Sequence, residues 1–92
     1  MEGIVLHITY KGMNGSAEAF IREAAKSGLQ EEIRKEAGCL RYDYYLPLEG
    51  GETVFLLEVW ENEEALKAHA VSPGMEKLKK LKEKYGVETI KE

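Results

Sequence analysis

The segment TVFLLEVWE, residues 53–61, is apolar on both of its alternating faces. Phe55, Leu57 and Val59 share one parity, Val54, Leu56 and Trp60 the other, and Glu58 is the exception. A run this short, rich in aromatic and β-branched residues, reads as a strand, and a strand apolar on both faces needs cover on both. The chain has 92 residues, which suits one small domain spanning 1–92. A domain of that size buries only about 60–65% of its unfolded surface, so cover for a second face is scarce. Either parity can face the helices.

The other elements are legible by period. Residues 3–10, GIVLHITY, alternate, with Ile4, Leu6, Ile8 and Tyr10 on one face and Val5, His7 and Thr9 on the other, as a strand does. KGMNGS is a loop, and Ser16 is placed to cap a helix. Residues 16–37 carry Phe20, Ile21, Ala24, Ala25, Leu29 and Ile33 at helical spacing, interrupted at Ser27-Gly28 and closed by Gly38. CLRYDYYLP, 39–47, is a second strand, with Leu40, Tyr42, Tyr44 and Leu46 on one side and Cys39, Arg41, Asp43 and Tyr45 on the other. Residues 62–71 form a short helix stopped by Pro73, Gly74 to Lys84 a further helical piece ended by Gly86, and 87–91 a final strand. The order β-α-β-β-α-β, with the second helix broken, predicts an α+β ferredoxin-like fold: a four-stranded antiparallel sheet with helices on one face. Burial of Phe55, Leu57 and Val59 is worth roughly 1.5–3 kcal/mol each. That favours a sheet-on-sheet homodimer as the cover for the other face.

Charge and cysteine content narrow the partners. Thirteen basic against 17 acidic residues give a net charge of −4, which argues against nucleic acid. No apolar run reaches the roughly 18–20 residues that span a membrane, and no basic segment followed by an apolar core opens the chain. A single cysteine, Cys39, forms no internal disulfide and no multi-cysteine metal site, which fits the cytoplasm. No helical histidine pair, phosphate-binding glycine loop or Ser-His-Asp set appears.

Chemistry concentrates in LLEVWENEEALKAHAVSPGM, residues 56–75. His69 is one of two histidines. It is either a proton acceptor at neutral pH or a histidine held by backbone or water at a helix edge. Glu58 and Trp60 share one strand face. A carboxylate on an apolar strand must find a partner, reach water or be protonated; Glu58 either orients His69 or a substrate hydroxyl, or pairs with Arg41 or a lysine. Trp60 packs in the core or offers a stacking wall. Tyr42, Tyr44 and Tyr45 offer hydroxyls to a ligand or simply pack. His7 reads as structural or interfacial, and Cys39 as an inert thiol with no base beside it.

The pieces EAGCLRYDYY, EVWENEEALKAH and SPGM, in this order, resemble the antibiotic biosynthesis monooxygenase superfamily of small dimeric α/β-barrel proteins. The resemblance implies a homodimer and a pocket in each subunit between sheet and helices. It implies cofactor-independent oxidation of a small aromatic or quinol-type compound by molecular oxygen, with no cofactor and no metal. On that reading His69 and Glu58 are catalytic, and Trp60, Tyr42, Tyr44 and Met75 bind substrate. Other members imply an isomerase or degrading enzyme for a small oxidised metabolite, or a non-catalytic ligand-binding or stress-related domain. The chain departs from the pattern after Ser-Pro, with Gly74 and Met75 where the family carries histidine and phenylalanine. The haem-degrading branch needs a first-strand asparagine and a ligating histidine in the last helix, and this sequence has neither.

Overall fold

A computed structural model describes residues 3–91. The doubly apolar strand, β3 (Thr53–Trp60), lies inside the sheet between β1 (Ile4–Lys11) and β2 (Cys39–Tyr45), and β4 (Glu88–Lys91) pairs with the far edge of β1. All pairings are antiparallel, giving the order β2-β3-β1-β4. This is the ferredoxin-like arrangement that the element order predicts. Val54, Leu56, Glu58 and Trp60 are the residues of β3 buried in the core. Phe55 is exposed and Leu57 and Val59 are half-buried on the opposite face. That open face runs through Tyr45, Phe55, Thr9 and Ile90, one cross-sheet row touching all strands.

Four helices cover the other face: α1 (Ser16–Lys26), α2 (Leu29–Arg34), α3 (Glu63–Ala70) and α4 (Pro73–Tyr85). The single helix expected over 16–37 is two, because Gly28 takes the left-handed conformation at φ 89° and turns the chain. The second piece stops at Arg34, and Gly38, at φ 80°, closes the turn into β2 rather than the helix. Ser16 does not cap α1. Its Oγ accepts from the Met13 N–H at 2.9 Å, and the helix is preceded by left-handed Gly15. The Glu52 carboxylate, from the β2–β3 connection, accepts from the Asn14 and Gly15 N–H groups at 2.6 and 3.0 Å. Pro73 both stops one helix and starts the next, as a first-turn proline can. Ser72 caps α4 by accepting from the Met75 N–H at 3.3 Å, and Asn62 caps α3 by accepting from Ala65 at 2.9 Å.

The side assignment in β2 fails at its first two residues, for Cys39 packs against the core beside Trp60 rather than with Arg41. Cys39 pairs with Trp60 but Arg41 pairs with Val59, so Leu40 is an extra residue in a bulge. It is 60% exposed and lies beside Val59 near Gly3 on the open face, not with Tyr42. Past the bulge the expected alternation holds, and Tyr42 is buried against the helices with Tyr44 beside it.

The turn at Gly38 should be the costliest glycine to replace. Its φ is 80°, and a Cβ there would be driven into the Ala65 Cβ of α3. Gly50, at φ 78°, has open space around it. Gly38→Ala should cost about 2–4 kcal/mol, against about 1–2 for Gly50→Ala. Urea unfolding of both variants reads the difference, and equal losses would show that the contact with α3 is not confining.

Candidate active site

Three elements bring the candidate residues together. β3 contributes Glu58 and Trp60 two residues apart, hence on one face. The last turn of α3 contributes His69, and the turn between α2 and β2 contributes Glu36. The His69 imidazole stacks on the Trp60 indole, with centroids 4.4 Å apart and planes inclined at 26°. His69 Nδ1 lies 2.8 Å from Glu36 Oε1, and the Ser72 hydroxyl donates to Glu36 Oε2 at 3.0 Å. A carboxylate only accepts, so Nδ1 carries the proton in this pair. Nε2 is then the nitrogen left for chemistry. It lies 3.8 Å from Glu58 Oε1, which already accepts the Trp60 Nε1–H at 2.8 Å.

Glu58 therefore has a partner, but it is the indole of its own strand neighbour rather than Arg41 or a lysine. Arg41 is occupied on the open side by Asp43. Trp60 is fully buried and sits behind His69, so the imidazole takes the place where a ligand ring would otherwise stack on the indole. Glu36 is the site residue that sequence reasoning missed. It heads the EAGC segment, but only the fold shows that a residue 33 positions away is its partner.

Beside this cluster a cleft of about 330 Å³ opens between the sheet and the α3–α4 pair. Its wall is apolar at Leu6, Ile8, Leu66, Met75 and Leu78, and polar at Tyr10, Tyr42, Glu58, His69, Lys82 and Thr89. Met75 and Tyr42 thus stand on the cleft wall, whereas Tyr44 stands beside Tyr42 with ring centroids 5.7 Å apart, edge to face. The Tyr42 and Tyr44 hydroxyls are both buried, and the hydroxyls of Tyr10, Tyr42 and Tyr44 interact with one another.

Gly74 has a definite role in this packing. A Cβ there would come within 2.9 Å of Ile33 Cγ1 and 3.0 Å of Glu36 Oε2. A side chain at 74 would compete with the carboxylate that holds His69 and Ser72. His7 lies on the open face, in a groove with Tyr45, Phe55 and Leu57. Burial raises the Cys39 thiol above its ordinary value, which lowers its thiolate fraction. Among the described residues no three His, Cys, Asp or Glu side chains gather to hold a metal ion. With no histidine in α4, the cleft does not fit a haem ligand set of the kind the haem-degrading branch uses. No helix among the described residues is long and apolar enough to cross a membrane.

Alkaline titration should report the tyrosine cluster. Burial, then the proximity of other acidic groups, raises Tyr42 and Tyr10 well above the usual phenol value. Burial pushes Tyr44 up to about 12 from 10.0. Above pH 10 the unfolded chain releases these protons and the native state does not, so stability falls as pH rises from 10 toward 12. The urea midpoint should hold below pH 10 and drop above it, with the delayed tyrosines ionising, by absorbance at 295 nm, only as the chain unfolds. Ionisation of all the tyrosines near pH 10 in the folded protein would contradict this.

The model of the antibiotic biosynthesis monooxygenase family matches residues 3–81. Uncharacterized protein YjcS of Bacillus subtilis (strain 168) is 52% identical over 42 residues, covering 45% of this chain and 39% of YjcS. A solved structure of protein YjcS superposes with a TM-score of 0.67 at 27% identity, over 97% of each chain. PA3566 from Pseudomonas aeruginosa superposes at 0.78, with 26% identity over 100% of this chain and 93% of its own. A conserved protein from Methanosarcina mazei Go1 gives 0.77, also at 26% identity, over 98% and 92%.

Proposed function

The chain belongs to the antibiotic biosynthesis monooxygenase family, and from that membership we propose that it is a cofactor-independent monooxygenase of a small aromatic or quinol-type compound. The observation that carries the reading is the Glu36–His69 pair at 2.8 Å, which holds His69 on the wall of a cleft that is apolar at Leu6, Ile8, Leu66, Met75 and Leu78. Glu36 holds Nδ1–H, and His69 Nε2 takes the proton of a bound phenol or quinol hydroxyl. The imidazolium so formed lies between two carboxylates, Glu36 and Glu58, which favour it. The electron-rich phenolate passes one electron to molecular oxygen. The radical pair joins at a ring carbon as a hydroperoxide, and loss of water leaves a ring carbonyl. Phenol plus oxygen gives quinone plus water, so atoms and electrons balance without metal or flavin. Trp60 and Glu58 shape the base, and Tyr42, Met75 and, behind Tyr42, Tyr44 shape the substrate space.

His69→Ala should reduce oxygen uptake with a quinol panel by about 10²–10⁴-fold, the usual range for a general base. His69→Gln should be as inactive, because it hydrogen-bonds without accepting the proton. Glu36→Gln, which keeps an acceptor for Nδ1–H but loses the charge, should retain more activity than Glu36→Ala. Activity in His69→Ala within about threefold of the parent, far below that range, would remove His69 from the mechanism and leave a ligand-binding domain as the better reading.

The open sheet face belongs to the same proposal. Val5 (55% exposed), Tyr45 (43%), Phe55 (38%) and Ile90 (43%) leave an apolar surface with a groove of about 310 Å³ beside His7. An exposed apolar patch of this kind marks an association surface. A second copy packed sheet to sheet is the cover this reading assigns. Leu57→Glu and Val59→Glu both place a charge on that face and should shift sedimentation toward monomer at micromolar concentration. A parent that sediments as a monomer at every concentration would sink the dimer.

A further inference from the structure

The cleft is chemically different at its two ends, and the proposed reaction uses only one of them. Along β1 its floor runs from Leu6, which pairs with Glu58, to Tyr10, which pairs with Thr89. Four residues of extended strand separate those rows, about 13–14 Å. Along α4 its other wall runs from Met75 through Leu78 to Lys82, one face of two helical turns and about 10 Å. The start of α4 lies at the His69 end, because Ser72 and His69 share Glu36. Lys82 and Thr89 make the opposite end. There the half-buried Lys82 places its ammonium 5.8 Å from the centroid of the Tyr10 ring, over its face. That contact holds the long side chain along the wall. Among the described residues lining the cleft, Lys82 is the one lysine or arginine and Glu58 the one carboxylate.

We infer that the cleft selects a phenol or quinol bearing a carboxylate on a short arm, and that Lys82 is the specificity-determining residue that receives this carboxylate, with Thr89 at the same end. The charges fix the direction of entry. Glu58 repels an anion from the His69 end, and Lys82 attracts it to the other. A ligand so oriented turns its hydroxyl toward His69 Nε2 and lays its ring against Leu6, Ile8, Leu66 and Leu78. Reversed, it would set its carboxylate against Glu58. One ammonium balances the single charge of a carboxylate, whereas a phosphate monoester brings nearly two. Charge-assisted hydrogen bonds strengthen such a pair, and partial exposure screens it.

The hydroxyl's placement rests on the proposed function, but the role of Lys82 is tested without oxygen or turnover. Isothermal titration calorimetry of the full chain under nitrogen compares para-hydroxyphenylpropanoate with para-hydroxyphenylpropanamide, the same shape without the charge. The parent should bind the carboxylate about five- to tenfold more tightly, between the range of an exposed ion pair and that of a buried one. Added salt should narrow the gap. Lys82→Met, which keeps the apolar stem, should bind the two compounds equally and leave the amide unchanged. Lys82→Gln should behave likewise, and decides the matter where Lys82→Met does not fold. Lys82→Arg should keep the preference, because it keeps the charge. Equal parent affinities, binding of neither compound, or a preference for the carboxylate that survives in a folded Lys82→Met or Lys82→Gln would each overturn the inference. Absent oxygen uptake with the carboxylate preference intact would bear against the oxygenase reading alone.

Discussion

The Glu36 carboxylate is the point through which the helical layer is tied to the site. One oxygen takes the His69 Nδ1 proton and the other takes the Ser72 hydroxyl proton. Those partners sit at the end of α3 and immediately before α4, while Glu36 itself sits just before β2. One partly buried carboxylate therefore ties the end of α3 and the start of α4 to the turn before β2. A carboxylate in that position is favoured by the positive end of the α4 helix dipole. Hydrogen bonds to a charged group are stronger than neutral ones. Gly74 is part of the same arrangement, since any Cβ there would press on Ile33 and on the carboxylate itself.

The sheet divides the molecule into two chemical environments, and β3 carries both. Its core-facing parity alternates from Val54 and Leu56 to Glu58 and Trp60, so polarity rises toward the end of the strand that lies beside His69. Tyr42 sits directly across from Glu58, and Leu6 flanks it on the other side. The opposite parity, Phe55, Leu57 and Val59, continues into the apolar row of the open face. A single strand thus borders both the cleft and the open apolar face.

The fold was readable because period decides it. Alternation in β1, the short doubly apolar run of β3, helical spacing in 16–33 and Gly, Ser and Pro at the breaks left few topologies to consider. What the sequence hid were features that depend on chain reversal or on distance along the chain. The bulge at Leu40 has no marker, because Leu40, Arg41 and Tyr42 alternate in sequence whether or not one residue is extra. No side chain caps α1; Glu52, more than thirty residues away, instead holds the turn before it. A nearby Ser16 was the better local candidate, but the left-handed turn at Asn14 and Gly15 aims the unpaired N–H groups at the other loop. His69, Glu58 and Trp60, all from one stretch, are neighbours in the fold, while Glu36 escaped because its partner is brought to it only by the chain's return through β2 and β3. The facing of Trp60 was equally hidden: side-chain parity places it on the core face, and only the imidazole stacked over it shows which ring meets the cleft.

Most of the polar groups in this cluster are satisfied internally. Glu36 has two donors, Trp60 has Glu58, and His69 has Glu36. Such a network holds its geometry without a ligand, the condition under which positioning contributes most to a rate.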